Sequence, residues 1–280
     1  MNSAAEAFVR CLAMAFGGHH EVRIMREEHV MEFDMTRLLK GRWKARRICR
    51  FAAGVLLFVI GCGPVSERPD RQPAEGGLVF VTTLGSAPYA YEDEKTKDYA
   101  GIDVDIARAA AKKLGMPLKI VPMEFADLLP SVKSGKADFA ANAITITPAR
   151  ARDVAFSRTY ASDGSAFLYR VGSTVPTVPR AGKLRIGCQT ASTCLFYLCY
   201  HNIDPYCFNE YDDAVAELEK GNLDAVFHDA EAIRATVRAS KGVYAITPLE
   251  TRENYGVAVR KDYPALLEAV NQVIAERGTK

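Results

Sequence analysis

From about residue 78 onward, the apolar positions alternate between two periods. Leu78 to Thr82 is an apolar run of strand length that stops at a turn around Gly85 and Pro88. The period then becomes helical. Ile106, Ala110 and Leu114 share one face, Asp105 is placed to cap the start, and Gly115 marks the stop. A strand is predicted from Leu118 to Val121, then a helix around Leu128, Leu129 and Val132 ending at Gly135, then a strand from Asp138 to Ile144. A second set follows Val171-Gly172-Ser173. The pattern predicts a strand at Leu184 to Gly187, a helix capped by Ser192 and Thr193, and a helix from Tyr211 to Lys220 with Ala214, Val215 and Leu218 on one side. A strand from Leu223 to Phe227 leads to His228 and Asp229. It is followed by a helix from Ala230 to Ser240, a strand from Tyr255 to Val259 and a helix from Pro264 to Arg277. Strands alternating with helices predict an α/β fold of βαβ units with mostly parallel sheets. The break between the two sets divides the body into two lobes, residues 78–171 and 172–254, with residues 255–280 returning to the first lobe. Two short crossings form a hinge, and ligands favour such an interdomain cleft.

Upstream of this body the pattern differs. Residues 1–34 show no clear period and are read as an extension, either disordered or lying ahead of a true start at Met31 or Met35. Residues 35–61 are a signal peptide. Arg37, Lys40, Arg42, Lys44, Arg46, Arg47 and Arg50 form a basic stretch without an acid, followed by the apolar run Phe51 to Ile60. That run is too short to span a bilayer, which takes about 20 apolar residues. Val59-Ile60-Gly61-Cys62 resembles the lipobox of bacterial lipoproteins. The resemblance implies diacylglycerol on the Cys62 thiol, cleavage before it, and stable anchoring by two or more acyl chains such as palmitate. Residues 62–77, rich in Pro, Gly, Glu, Arg and Ser, read as a flexible tether.

The chain has 280 residues and a formal charge of +2, and the charge is unevenly placed. Residues through Cys62 carry 10 basic and 6 acidic groups, which leaves 26 and 28 for the rest, a net of −2. A body this near neutrality excludes a nucleic-acid footprint.

The stretch Asn142 to Arg150 carries candidate chemistry. Thr147 suits a helix N-cap and Pro148 the first helical position, which puts Arg150 in the first turn with Thr145 on the approach. Free N–H groups, a hydroxyl and a permanent cation would converge there on an anion, and an arginine fork holds a carboxylate with two bonds. Four cysteines, Cys188, Cys194, Cys199 and Cys207, lie within twenty residues of the second lobe. In an exported chain one or two disulfides among them, in any of three pairings, are favoured over buried free cysteines. Their spacing matches no zinc signature, so no metal and no cofactor is expected.

Several motifs follow one another in order: Gly101-Ile-Asp-Val-Asp-Ile-Ala107, Phe125 to Asp138, Ile144-Thr-Ile-Thr147 with Arg150, Phe156-Ser157 with Tyr160, and Gly221 to Asp229. Together they resemble the polar-amino-acid solute-binding proteins of ABC importers, over about Leu78 to Lys280. The resemblance implies the two-lobed type II periplasmic-binding-protein fold and a non-enzymatic receptor that delivers an amino acid to permease subunits. It implies that Arg150 and Thr145 hold the ligand's α-carboxylate with help from Thr193, and that Asp229 takes the α-ammonium with the backbone carbonyl near Ala143. Phe125 would pack over the ligand. Ser86 and Thr83 stand where the family often has an aromatic and an Asp, and Ala191 replaces the usual Gly before Ser192-Thr193. Gln189 and His228 complete the expected lining. That lining supplies one apolar plate and neutral hydrogen-bonding groups, so a polar uncharged amino acid is expected, glutamine first. The alternatives are an exported cyclohexadienyl-dehydratase-like enzyme on the same fold and an amino-acid sensor domain. The enzyme would need a general acid, and the motifs offer no carboxylate beyond the zwitterion's partner.

Overall fold

The computed structural model describes residues 22–26, 29–33 and 77–278 apart from Ser86 and Glu94. The expected signal peptide, Cys62 and nearly all of the expected tether lie outside the described residues. Within the expected extension, β1 (Val22–Arg26) and β2 (His29–Phe33) pair antiparallel, with Val22 opposite Phe33.

The body holds two five-stranded sheets. The first comprises β3 (Leu78–Thr82), β6 (Leu118–Pro122), β7 (Phe139–Ala140), β8 (Ala155–Phe156) and β16 (Ala258–Val259), in the order β6-β3-β7-β16-β8. The second comprises β10 (Ser165–Arg170), β11 (Ile186–Gln189), β12 (Tyr206–Phe208), β13 (Ala225–Asp229) and β14 (Tyr244–Ile246), in the order β12-β11-β13-β10-β14. Two shorter pairs join them, β4 (Tyr91–Glu92) with β5 (Tyr99–Ala100), and β9 (Ala161–Asp163) with β15 (Glu253–Tyr255). The helices are α1 (Ile102–Lys113), α2 (Phe125–Lys133), α3 (Val178–Ala181), α4 (Thr193–Tyr200), α5 (Tyr211–Glu219), α6 (Ala230–Ala239) and α7 (Pro264–Arg277).

Each sheet is mostly parallel, as expected, with one antiparallel strand. The βαβ strands β6, β3 and β7 are parallel, as are β12, β11 and β13. β16 and β10 run antiparallel to their neighbours. The reason is connectivity: both enter their sheet directly from the crossings, without the helical crossover that a parallel neighbour requires.

The two Gly-x-x-Asp motifs do the same work in both lobes. Gly135 and Gly221 take positive φ, 76° and 77°, as the chain leaves α2 and α5. Three residues on, Asp138 accepts the Val79 backbone N–H at 2.8 Å and Asp224 accepts that of Arg185 at 2.8 Å. Each aspartate thus pins the incoming strand to its parallel neighbour. Asp138 is also paired with buried Arg260 at 3.0 Å, next to β16. In the first lobe, Val104, Ile106, Ala107 and Ala110 of α1 pack with Leu266, Val270 and Val273 of α7. The second lobe's core gathers Phe167, Ile186, Leu195, Leu198 and Phe227. Burying each large side chain contributes roughly 1.5–3 kcal/mol.

The crossings are β9 and β15. They pair antiparallel, with Glu253 opposite Asp163 and Tyr255 opposite Ala161. The expected return near Asn254 falls inside β15. Close approach is built in here, because a Cβ on Gly164 would meet the Thr251 carbonyl oxygen at 2.1 Å. The sequence period ran Tyr255 to Val259 together as one strand; the chain instead breaks at Gly256-Val257 as it passes from the hinge into the first sheet.

Candidate ligand-binding site

The cavity lies where the ends of β7, β11 and β13 converge, and is narrow, with a volume of about 30 Å3. Phe125, Asn142, Ala143 and Thr145 line it from the first lobe, and Gln189, Ser192, Thr193, His228 and Asp229 from the second. Ala87, Tyr89 and Ala232 complete the wall.

Arg150 begins a three-residue 3-10 turn, Arg150–Arg152, not an α-helix. The expected cap bond still forms, since the Arg150 N–H donates to Thr147 Oγ1 at 3.2 Å. The helix-dipole part of the expected anion site is therefore corrected: three residues sum no useful dipole, and the side chain carries the charge. Its Nη1 donates to the Thr145 carbonyl at 2.9 Å and its Nη2 to the Ala191 carbonyl at 3.2 Å. The guanidinium lies 5.8 Å from the Phe125 ring centroid. Burial lowers its pKa, opposed by the fields of Glu253 and Asp229. Two of five N–H donors are used on these carbonyls, which leaves donors for a carboxylate.

Ala143 holds φ 47°, a left-handed conformation rare for alanine. Its N–H is fastened to Asp103 Oδ2 at 3.3 Å and Tyr160 Oη at 3.1 Å. Asp103 is fully buried, and burial raises its pKa to about 7. Gly101, not Asp105, is the N-cap of α1. That puts Asp103 in the first turn, turned inward to this backbone.

On the facing wall, Ser192 caps α4 by accepting the Leu195 N–H at 3.2 Å, as expected. Thr193 lies 3.4 Å from Thr145, hydroxyl to hydroxyl. Asp229 occupies the N-cap position of α6 but makes no side-chain cap bond, so its carboxylate remains available to the cavity. Burial raises its pKa to about 8, with the fields of Glu253 and Asp163 adding and that of Arg150 opposing. Burial also lowers the His228 pKa to about 4, so the imidazole is neutral. Its Nε2 meets Gln189 Oε1 at 3.3 Å, and Gln189 Nε2 donates to the Asn209 carbonyl at 3.0 Å.

Not every expected residue reaches the cavity. Thr83 is buried behind it, its hydroxyl donating to the Met123 carbonyl at 3.0 Å. Ser86 lies outside the described residues. The disulfide expectation is corrected. Cys188, Cys194 and Cys207 are free thiols, so no disulfide joins two of the four, although Cys199 is disulfide-bonded. Cys188 and Cys207 are partners on parallel strands β11 and β12, with their thiols hydrogen-bonded rather than joined.

Sequence reasoning missed Tyr89 in the lining and, beside that lining, Glu253. Glu253 is buried in the hinge and accepts four hydroxyls. Thr145 and Thr193 reach Oε2 at 2.5 and 2.8 Å, while Ser165 and Thr251 reach Oε1 at 2.7 and 2.8 Å. Burial would raise its pKa, but the four donors outweigh it and the pKa is lowered. Glu253 therefore stays ionised and is unsuited to act as a general acid. Its only sequence signal was a charged residue two positions before Tyr255, in a segment read as the lobe crossing.

Residues 78–279 match the model of the bacterial extracellular solute-binding proteins, family 3. The chain belongs to that family. Among its relatives is the ABC transporter arginine-binding protein 1 of Escherichia coli, 28% identical over 185 residues that cover 64% of this chain and 76% of that one. The arginine-bound form of ArgBP from T. maritima superposes with a TM-score of 0.68 at 34% identity, covering 72% of this chain and 97% of that one. An ancestral arginine-binding protein bound to glutamine superposes with a TM-score of 0.66 at 30% identity, covering 73% and 92%. As in these family 3 proteins, two α/β lobes face each other across a cleft, and the relatives are binding proteins for amino acids. Among the described residues, no helix is long and apolar enough to cross a membrane.

Proposed function

We propose that this protein is the amino-acid receptor of an ABC importer, anchored by lipid at Cys62, and that it hands its ligand to permease subunits without chemical change. The observation that carries this reading is one cavity with the Asp229 carboxyl on its second-lobe wall and the Arg150 guanidinium beside its first-lobe wall, next to Phe125 and Thr145. Arg150, seated on the Thr145 carbonyl, serves the α-carboxylate. Asp229, at the end of β13 and freed from capping, serves the α-ammonium. Closure of the lobes completes both pairs together, so a zwitterion favours the closed state by its differential affinity for it.

The side-chain compartment supports a polar uncharged amino acid, glutamine first. Phe125 supplies an apolar plate, and the Gln189–His228 pair supplies neutral donors and acceptors. No carboxylate there is free for a guanidinium, because Asp229 is assigned to the ammonium and Glu253 lies at the α-carboxylate end, against Thr145 and Thr193. The relatives named for arginine make arginine the competing ligand, and the ancestral protein bound to glutamine shows that a family scaffold accepts either. A thermal-shift panel of the twenty amino acids tests this, since a ligand that binds only the native state raises its melting temperature. The largest shift is expected with glutamine. A larger shift with arginine overturns the side-chain assignment, and no shift with any amino acid overturns the receptor reading. Anchoring is tested by Cys62→Ser, which is expected to leave the precursor uncleaved or release the protein from membranes.

A further inference from the structure

We propose that Glu253 is a latch within the hinge, whose carboxylate holds the two lobes together through the hydroxyls that a bound amino acid must take over. The inference rests on the site reading above.

The geometry is specific. Thr145 belongs to the first lobe and is strapped to the hinge strand by backbone bonds, Ile146 N–H to the Asn254 carbonyl at 2.9 Å and Gly256 N–H to the Ile144 carbonyl at 3.0 Å. Thr193 opens α4 in the second lobe. One oxygen, Glu253 Oε2, accepts both hydroxyls, at 2.5 and 2.8 Å. The other oxygen is held by Ser165 at the start of β10 and by Thr251 just before β15. A single buried carboxylate thus links the first lobe, the second lobe and the hinge.

A hydroxyl has one proton to donate. While Thr145 and Thr193 donate to Glu253, they present only lone pairs to the cavity and cannot receive a carboxylate. Arg150 also lies within the attractive field of Glu253, the same field that a ligand's carboxylate would exert. Glu253 therefore plays against Thr145, Thr193 and Arg150 the part that the α-carboxylate plays in the receptor. Two carboxylates competing for the same donors are mutually exclusive there, so binding requires Glu253 to yield these protons. A protein held in this latched arrangement binds more weakly, in proportion to the fraction that is not latched.

The test compares Glu253→Gln with wild type. The amide keeps the shape, removes the charge and accepts more weakly, because charge-assisted hydrogen bonds are about twice as strong as neutral ones. Without ligand, small-angle scattering is expected to show a larger radius of gyration for Glu253→Gln. By calorimetry, the amino acid giving the largest wild-type thermal shift is expected to bind Glu253→Gln about 3- to 10-fold more tightly, the equivalent of roughly one net hydrogen bond. Should Glu253→Gln fold poorly by circular dichroism, Glu253→Asp decides, because its shorter side chain cannot span Thr145 and Thr193 and is expected to show the same opening. An unchanged radius together with equal or weaker affinity overturns the latch. Failure of the site reading looks different: wild type then binds no amino acid, and the scattering comparison still decides the latch.

Discussion

The guanidinium of Arg150 reaches the backbone of the opposite lobe, where its Nη2 donates to the Ala191 carbonyl at 3.2 Å. Ala191 can present that carbonyl because it sits at φ 59°, a conformation glycine adopts without cost and alanine does not. Alanine at this position is therefore accommodated as backbone strain.

Ala191→Gly should relieve this strain. A left-handed non-glycine residue costs about 1–3 kcal/mol, and the added freedom of glycine in the unfolded chain takes back about 0.4–1 kcal/mol. The melting temperature is expected to stay level or rise in thermal denaturation. A clear fall would mean that the alanine methyl makes packing contacts worth more than the strain.

Arg150→Ala should weaken amino-acid binding by about 2–5 kcal/mol, because it leaves a buried carboxylate unpaired. At about 1.4 kcal/mol per decade, that is roughly 30-fold to several thousand-fold in affinity. Calorimetry measures it directly, and near-normal affinity would remove Arg150 from the site.

Proton release should accompany binding. The Asp229 pKa, ordinarily 3.8, is raised to about 8 in the fold, so at pH 7 the carboxyl is mostly protonated. An ammonium ligand selects the ionised form, and close to one proton, about 0.9, should be released per ligand at pH 7. Affinity should rise with pH up to about 8 and then level off. Calorimetry in buffers of different ionisation enthalpy counts the proton, and Asp229→Asn should abolish the release. The same shift has a consequence for folding. Between pH 3.8 and about 8 the folded chain keeps a proton that the unfolded chain has lost, so this group's contribution to stability falls as pH rises across that window.

Among the three free thiols of the described residues, Cys207 should react first. Its hydrogen bond with the Cys188 thiol lowers its pKa despite partial burial. The same bond, then burial, raises Cys188, and burial raises Cys194. Because the thiolate is the nucleophile, iodoacetamide should modify Cys207 ahead of both. Peptide mass spectrometry reads the order, and earlier labelling of Cys194 would contradict it.

Much of the molecule was determined by the sequence alone, because it rests on local rules. Helical periodicity located α1, α2, α5, α6 and α7, and Pro264 to Arg277 coincides with α7 as built. Glycines requiring positive φ, Gly135 and Gly221, marked helix ends, and Ser192 announced its cap. The order of the motifs then assembled Arg150, Thr145, Thr193 and Asp229 into one expected site. The tertiary structure decided what depends on neighbours distant in sequence. It set β10 and β16 antiparallel, because both arrive from the hinge. It kept Cys188 and Cys207 as hydrogen-bonded thiols on adjacent strands, and withdrew Thr83 behind the cavity wall. Above all it placed Glu253. A glutamate in a short polar segment reads as a solvated surface charge, since charged side chains are rarely buried unless paired or hydrogen-bonded. Its hydroxyl partners Thr145, Ser165 and Thr193 stand 108, 88 and 60 residues away in the chain, and only the crossing of β9 and β15 brings them onto one carboxylate.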